Sequence, residues 1–271
     1  MSRILMSVGA AAALVAAACA RTSHYEANAF AWNGAVPAGQ WVHVRNLTGS
    51  ISVAAATGTD VQVHASKRWS HRGQDVRFVE TATTDGITIC ALYRSGDTCD
   101  AGTYPGHRRG GGGILSSIFR SRSDARVDFV INVPAGVNVD LGSITGPVRA
   151  AGTSGSVTAK TINGDIDITS HRGALDLKTI NGSVTAALDT LPATGDIEME
   201  SINGSITAVL PPQLDGTVEF ETVNGRISNP FALTTAGPVN PRKITGTIGT
   251  GGSRHVKLST VNGSVTLLKH A

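Results

Sequence analysis

The chain has 271 residues, 41% of them apolar and only 16% charged, which excludes wholesale disorder and leaves ample core for one large domain or two small ones. A net charge of +3 excludes a dedicated nucleic-acid binder, so no nucleic-acid partner is expected. With 32 glycines and aromatics at 4%, the composition favours short strands and tight turns over helices.

The first twenty residues, MSRILMSVGAAAALVAAACA, place one early Arg before a short apolar run and then small residues, the layout of a secretory signal. The run is too short and too Ala-rich for a membrane-spanning anchor. Residues 15–19 (VAAAC) satisfy a permissive bacterial lipobox, which predicts Cys19 lipidated at a new N-terminus and membrane attachment through that lipid. Ala18-Cys19-Ala20 is also an A-x-A site, and cleavage there would discard Cys19 and leave a periplasmic or extracellular protein. Residues 21–39 are read as a linker and 40–271 as one domain.

Within 41–69, Gly49 and Gly58 stand nine apart among alternating Val and Ile, the mark of strands in loosely regular coils. VRFVETATTDGITICALY then predicts a hairpin through Asp85-Gly86. Cys90 and Cys99 follow, and in an exported chain they form a disulfide across a loop. That ring is small and contributes roughly 2–3 kcal/mol. Two Cys without a nearby His or further Cys make a poor zinc set, so no metal is expected.

Between 94 and 124 alternation fails in a Gly- and Arg-rich excursion. Here Ile114, Leu115, Ile118 and Phe119 accompany Arg108, Arg109, Arg120 and Arg122. The favoured reading folds the apolar four over a solenoid edge, which needs a cover against edge pairing. The rival reading is an exposed patch with a basic rim, suited to anionic lipid or a partner. RVDFVINV then resumes the strands at Arg126.

The remaining chain spells one unit five times: TINGDIDI (161–168), TINGSVTA (179–186), SINGSITA (201–208), TVNGRISN (222–229) and TVNGSVTL (260–267). A motif written five times is a building unit rather than a catalytic site. Glycines at 146, 155, 164, 173 and 182 are each nine apart, and nine is odd, so a flat strand would turn its apolar set outward at each copy. One break in alternation per nine residues is required, and the apolar parity switches between Leu177 and Ile180. A chain that runs half a turn, bends and repeats is a β-solenoid, all-β, with two short strands and about 18 residues per coil. Later spacings (182 to 204, 204 to 225) stretch as corner loops would, and 225 to 263 holds a degenerate copy, ITGTIGT. Stacking predicts Asn163, Asn181, Asn203, Asn224 and Asn262 in one column, about 4.8 Å apart, bonded as an amide ladder. Ile162, Ile180, Ile202, Val223 and Val261 are expected to line the core.

VRNLTGSISV, the Lys67-Arg68 pair, VDFVINVPAGVNVDLGSITGPV and the serial TINGSV units together resemble the bacterial putative-adhesin family of β-strand-repeat proteins over about 40–268. The resemblance implies an exported or membrane-attached protein whose domain is largely of unknown function. The Arg-rich excursion and the Cys pair depart from the family's pattern.

The eight His are dispersed, without metal-ligand spacing, and His43 and His64 read as solvated or satisfied strand residues. No G-x-S-x-G elbow occurs, and HRRGGGG lacks the Lys-Ser/Thr ending of a phosphate loop. Asp165 with Asp167, and Asp196, Glu198 and Glu200, suggest Ca²⁺ or polysaccharide cleavage, but read better as a solvated face. Ser156/Thr158, Ser183/Thr185, Ser205/Thr207 and Ser264/Thr266 are expected as outward hydroxyl rows. No catalytic residue and no cofactor is expected. The expectation is a noncatalytic envelope protein that is an adhesin, scaffold or ligand sensor, with an envelope protein or glycan as partner. The alternative is a β-helical polysaccharide-acting enzyme.

Overall fold

The computed structural model of the chain describes residues 23–70, 76–94, 96–102, 124–191, 195–235 and 240–270. Every regular element assigned among them is a strand. The first nine are β1 (His24–Ala35), β2 (Trp41–Arg45), β3 (Ile51–Ala55), β4 (Asp60–Trp69), β5 (Arg77–Thr83), β6 (Gly86–Leu92), β7 (Arg126–Val133), β8 (Asn138–Gly142) and β9 (Val148–Ala151). The next six are β10 (Val157–Asn163), β11 (Ile166–His171), β12 (Leu175–Asn181), β13 (Val184–Leu188), β14 (Ile197–Asn203) and β15 (Ile206–Leu210). The last five are β16 (Gly216–Asn224), β17 (Ile227–Ser228), β18 (Lys243–Ile248), β19 (His255–Asn262) and β20 (Val265–Lys269).

Two ten-stranded sheets face each other. One, the β1 sheet, runs β1-β4-β7-β3-β9-β11-β13-β15-β20-β17; the other, the β2 sheet, runs β18-β16-β19-β14-β12-β10-β8-β2-β6-β5. Each regular coil gives one strand to each sheet. Adjacent coils pair in parallel, residue over like residue, so that Val157, Leu175, Ile197 and Val256 form one row. Ala159, Leu177, Met199 and Leu258 form the next row and are buried. Ile166, Val184, Ile206 and Val265 meet them from the opposite sheet. This is the all-β solenoid that the nine-residue spacing predicts, and it is narrow enough to be filled mostly by aliphatic side chains.

The inward parity differs from the expected one by a residue. Thr161, Thr179, Ser201, Thr222 and Thr260 are buried, whereas Ile180, Ile202, Val223 and Val261 are 39–48% exposed and Ile162 is half-buried. The break in alternation therefore lies at the Asn-Gly corner, after Thr179, and not between Leu177 and Ile180. The stack supplies the reason. Each buried hydroxyl donates to a glycine carbonyl in the adjoining coil: Thr179 Oγ1 to Gly164 at 2.9 Å, Ser201 Oγ to Gly182 at 2.9 Å and Thr260 Oγ1 to Gly204 at 2.8 Å. A satisfied hydroxyl can be buried at little cost, and the larger aliphatic neighbour turns out. The corner glycines follow from the same crowding, since a Cβ at Gly182 would stand 2.1 Å from the Gly164 carbonyl oxygen.

The order of coils also departs from chain order. The β19/β20 coil is inserted between β14/β15 and β16/β17, so that β19 pairs with both β14 and β16. The amide column exists, and it runs Asn163, Asn181, Asn203, Asn262, Asn224, on the exposed corner and not inside. Each Nδ2 donates one way along it, with distances of 2.8–2.9 Å. Asn262, the last of the five in the sequence, is thus an interior rung and Asn224 the terminal one. Asn262→Ala removes two side-chain bonds and Asn224→Ala one, so at about 0.5–1 kcal/mol per exposed bond the first should cost roughly twice the second in urea unfolding.

The N-terminal half closes one end of the solenoid. Residues read as a linker instead hold β1, which pairs antiparallel with β4, and β4 pairs antiparallel with β7. Phe30 stacks on Phe78 at 5.2 Å and Phe78 meets Phe129 edge-on at 6.1 Å, so aromatic rings plug the space between the two sheets. β5 and β6 form the expected hairpin, and Cys90 and Cys99 are joined in a disulfide. At the far end β18 returns antiparallel on β16.

Candidate functional site

The repeat places three parallel columns on the outer face of the β2 sheet. The first is aliphatic: Ile162, Ile180, Ile202, Val261 and Val223 in coil order. It continues towards Ile144, which is buried at 2%, so the open strip begins at Ile162. The exposed amide ladder is adjacent to it in sequence. On its other flank, two residues earlier in each strand, stand Lys160, Lys178, Glu200, Ser259 and Glu221. The aliphatic residues floor a groove of about 660 Å³, walled by Lys160, Lys178, Glu200 and Ser259.

The charges on this face are committed to one another. Lys257 Nζ donates to Glu198 at 2.8 Å and to Glu200 at 2.7 Å, while Lys178 Nζ reaches Glu198 at 3.1 Å. The Lys257 hydrogen bond holds the Glu198 carboxyl down at about 2, and with the Lys178 hydrogen bond and charge it outweighs the opposing cost of burial. The same carboxylates raise Lys257 above its usual range. A catalytic acid needs a carboxyl pushed the other way, so Glu198 is the opposite of a proton donor at neutral pH. Asp165 accepts the Ser183 backbone N–H at 2.8 Å, a bond between coils.

A second polar cluster lies at the N-terminal end of the same sheet. His43 Nδ1 is 3.0 Å from Asp140 Oδ2, and the Arg45 guanidinium bonds the same carboxylate. Arg45 also donates through Nε to the Ala101 carbonyl at 2.9 Å, tying β2 and β8 to the loop beyond the disulfide. Burial alone would raise the Asp140 carboxyl, but hydrogen bonds from His43 and Arg45 outweigh it and hold it low. With His43 and Arg45 each only 6% exposed, this is an internal clamp, whereas the sequence left His43 as either a solvated or a satisfied strand residue.

His171 is buried at a β11 corner, where Ser170 takes a left-handed φ of +50° and turns the ring inward. Gly173 N–H donates to Nε2 at 3.0 Å, and Nδ1 lies 3.1 Å from the Thr153 carbonyl oxygen, which fixes the neutral Nδ1–H form. Burial is the leading effect and pushes its pKa below the ordinary 6.5, despite opposing backbone hydrogen bonds. The unfolded chain therefore binds this proton first. Stability from His171 is complete above about pH 6.5 and falls as pH drops below it, by at most about 1.4 kcal/mol per pH unit. Thermal melts across this range should show the decline, and His171→Asn should flatten it.

Of the hydroxyl rows, Thr185, Thr207 and Thr266 are in register on the β1 sheet, but Thr158 lies in β10 of the β2 sheet and does not join them. Cys19 and the patch residues 108–122 lie outside the described residues. The exposed aliphatic strip is the surface that sequence reading missed, because its residues were assigned to the core. The only signal for it is that each Ile or Val lies beside a Thr or Ser that can be bonded within the stack.

A family model, Toastrack DUF4097, matches residues 120–268, more than half of the chain. This agrees with the β-repeat resemblance read from the sequence. A solved structure from Clostridium sporogenes, described as a putative cell adhesion protein, is similar at 11% identity with a TM-score of 0.46, covering 89% of this chain and 99% of that one. No curated protein matches the chain.

Proposed function

The chain belongs to the Toastrack DUF4097 family, and from that premise we propose that it is a noncatalytic, exported cell-envelope protein of adhesive or scaffolding type. The observation that carries this reading is the open aliphatic strip with its amide ladder, repeated over five coils. A row of like residues on a rigid solenoid suits extended contact with a partner surface. The adjoining carboxylates are held by Lys178 and Lys257 and are poorly placed for acid catalysis. Attachment would come from lipid on Cys19.

Ile180→Asp with Ile202→Asp is expected to leave the protein in the envelope and abolish its adherence to envelope-protein surfaces. Cys19→Ala is expected to release it from the membrane fraction. Glycan cleavage by the wild type that Asp165→Asn with Asp167→Asn abolishes would overturn the noncatalytic reading.

A further inference from the structure

We infer that the aliphatic strip binds a second copy of this chain, face to face and with the solenoid axes antiparallel, so that adhesion through it is homotypic. The inference deepens the adhesive reading and rests on it for its biological setting.

The first ground is repeat length. The strip presents one aliphatic side chain per coil, at the roughly 4.8 Å spacing of parallel strands. A partner can seat against every one of them only if its own surface repeats at that interval. A second copy does so by construction, and two such rows can close residue on residue into a dry seam, as in zipper-like sheets. Linear glycans are more often gripped by aromatic faces, and the strip has none.

The second ground is charge order. Along the flanking column the coils read Lys160, Lys178, Glu200, Ser259, Glu221, basic at one end and acidic towards the other. A two-fold axis parallel to the strands and passing through Ile202 superimposes all five coils of each copy, in reversed order. Ile162 then meets Val223 of the second copy, Ile180 meets Val261, and Lys160 faces Glu221 twice by symmetry. The two Glu200 carboxylates approach near the axis, where each already has Lys178 at 3.4 Å and Lys257 at 2.7 Å. With parallel axes the charged column would instead face the amide ladder, and nothing would select that arrangement. Glu221 also meets Lys243 at 3.1 Å, and Lys160 meets Asp176 at 3.4 Å, within their own chain, and both pairs temper the attraction without reversing it.

The third ground is geometry relative to attachment. Antiparallel axes put the two N-terminal ends at opposite ends of the pair. Copies held by their N-termini can then meet from two facing surfaces. Five coils span about 20 Å, and a strip of that length buries roughly 800 Å² in total, at the weak, transient end of specific interfaces. The association should accordingly lie in the range of about 10 μM to 1 mM.

Sedimentation equilibrium of the full chain tests this, with circular dichroism as the control for folding. The wild type should dimerise in that range. Ile202→Asp, which acts twice at the axis, should weaken the dimer by at least about 100-fold. Lys160→Glu alone and Glu221→Lys alone should each weaken it by about 10-fold, because each places like charges opposite one another twice. An equimolar mixture of these two variants should recover to within about threefold of the wild type, since only the mixed pair restores both contacts. A wild type that stays monomeric to about 1 mM, or a mixture no stronger than its components, overturns the homotypic pair. Glycan-array binding retained by such a monomer would leave the adhesive reading standing, so the two failures are distinguishable.

Discussion

Gly204→Ala is expected to unfold the C-terminal coils or lower stability by more than about 4 kcal/mol, the range reached only by a few severe mechanisms. A Cβ there would stand 1.9 Å from the Gly182 carbonyl oxygen and 2.4 Å from its carbon, both of them backbone atoms. Relief requires adjoining coils to part by more than 1 Å, because ordinary contact begins beyond 3 Å. The coils cannot part without cost. Gly182 N–H bonds the Asn203 carbonyl at 3.0 Å, Gly204 N–H bonds the Asn262 carbonyl at 3.0 Å, and the Thr260 hydroxyl bonds the Gly204 carbonyl at 2.8 Å. Gly58 is the control, with nothing within 4 Å of its Cβ position, so Gly58→Ala should be neutral or slightly stabilising. Calorimetry on both variants decides it, and a Gly204→Ala melt close to that of the wild type would show that the coils have slack the structure denies.

The repeat made the architecture legible because its constraint is arithmetical. An odd period with alternating residues forces one bend per nine, and a bend per nine forces a stack. The glycine column and the amide column followed from the stack without reference to any side-chain detail. What failed most was the assignment of side chains and coils whose placement depends on the identity of the adjoining coil. Hydropathy ranks Ile180 as more apolar than Thr179 and places it inside, yet the Thr179 hydroxyl has a partner only because the Gly164 carbonyl sits in the adjoining coil. The insertion of β19 between β14 and β16 was hidden because sequence order is the natural guess for a solenoid, and the hairpin of β16 with β18 carries the chain past the vacant place. β1 was overlooked because HYEANAFAWNGA alternates Ala with Phe and Trp, a weaker signal than alternating Val and Ile. The exposed strip is the functional consequence of the first failure: the same one-residue shift that buries Thr and Ser turns a row of Ile and Val to the outside.

The clamp at Asp140 yields the second large effect. Asp140→Ala is expected to cost about 3–5 kcal/mol, the range for removing one partner of a buried ion pair. The carboxylate is 19% exposed and faces an Arg45 side chain that is 8% exposed, so little water can replace it. Arg45 would keep its bonds to the Ala101 carbonyl and to the Asp140 backbone carbonyl at 2.8 Å, which neutralise none of its charge. His43 Nδ1 would lose the carboxylate oxygen 3.0 Å away. Asp140→Asn keeps the volume and one acceptor but drops the charge, so it should fall between the wild type and Asp140→Ala. In urea the midpoint should drop with little change in slope, because the clamp joins β2 to β8 within a fold that still unfolds as a whole. The pH dependence has a definite sign. The Asp140 carboxyl titrates below its ordinary 3.8, so its contribution is present above that pH and is lost as pH falls through the depressed value. Acid unfolding of Asp140→Asn should therefore be less steep than that of the wild type below about pH 4, while being weaker throughout the neutral range. If Asp140→Ala and the wild type share a urea midpoint, the charge of Arg45 is being met by solvent, and β2 and β8 are held by their backbone ladder and apolar rows alone.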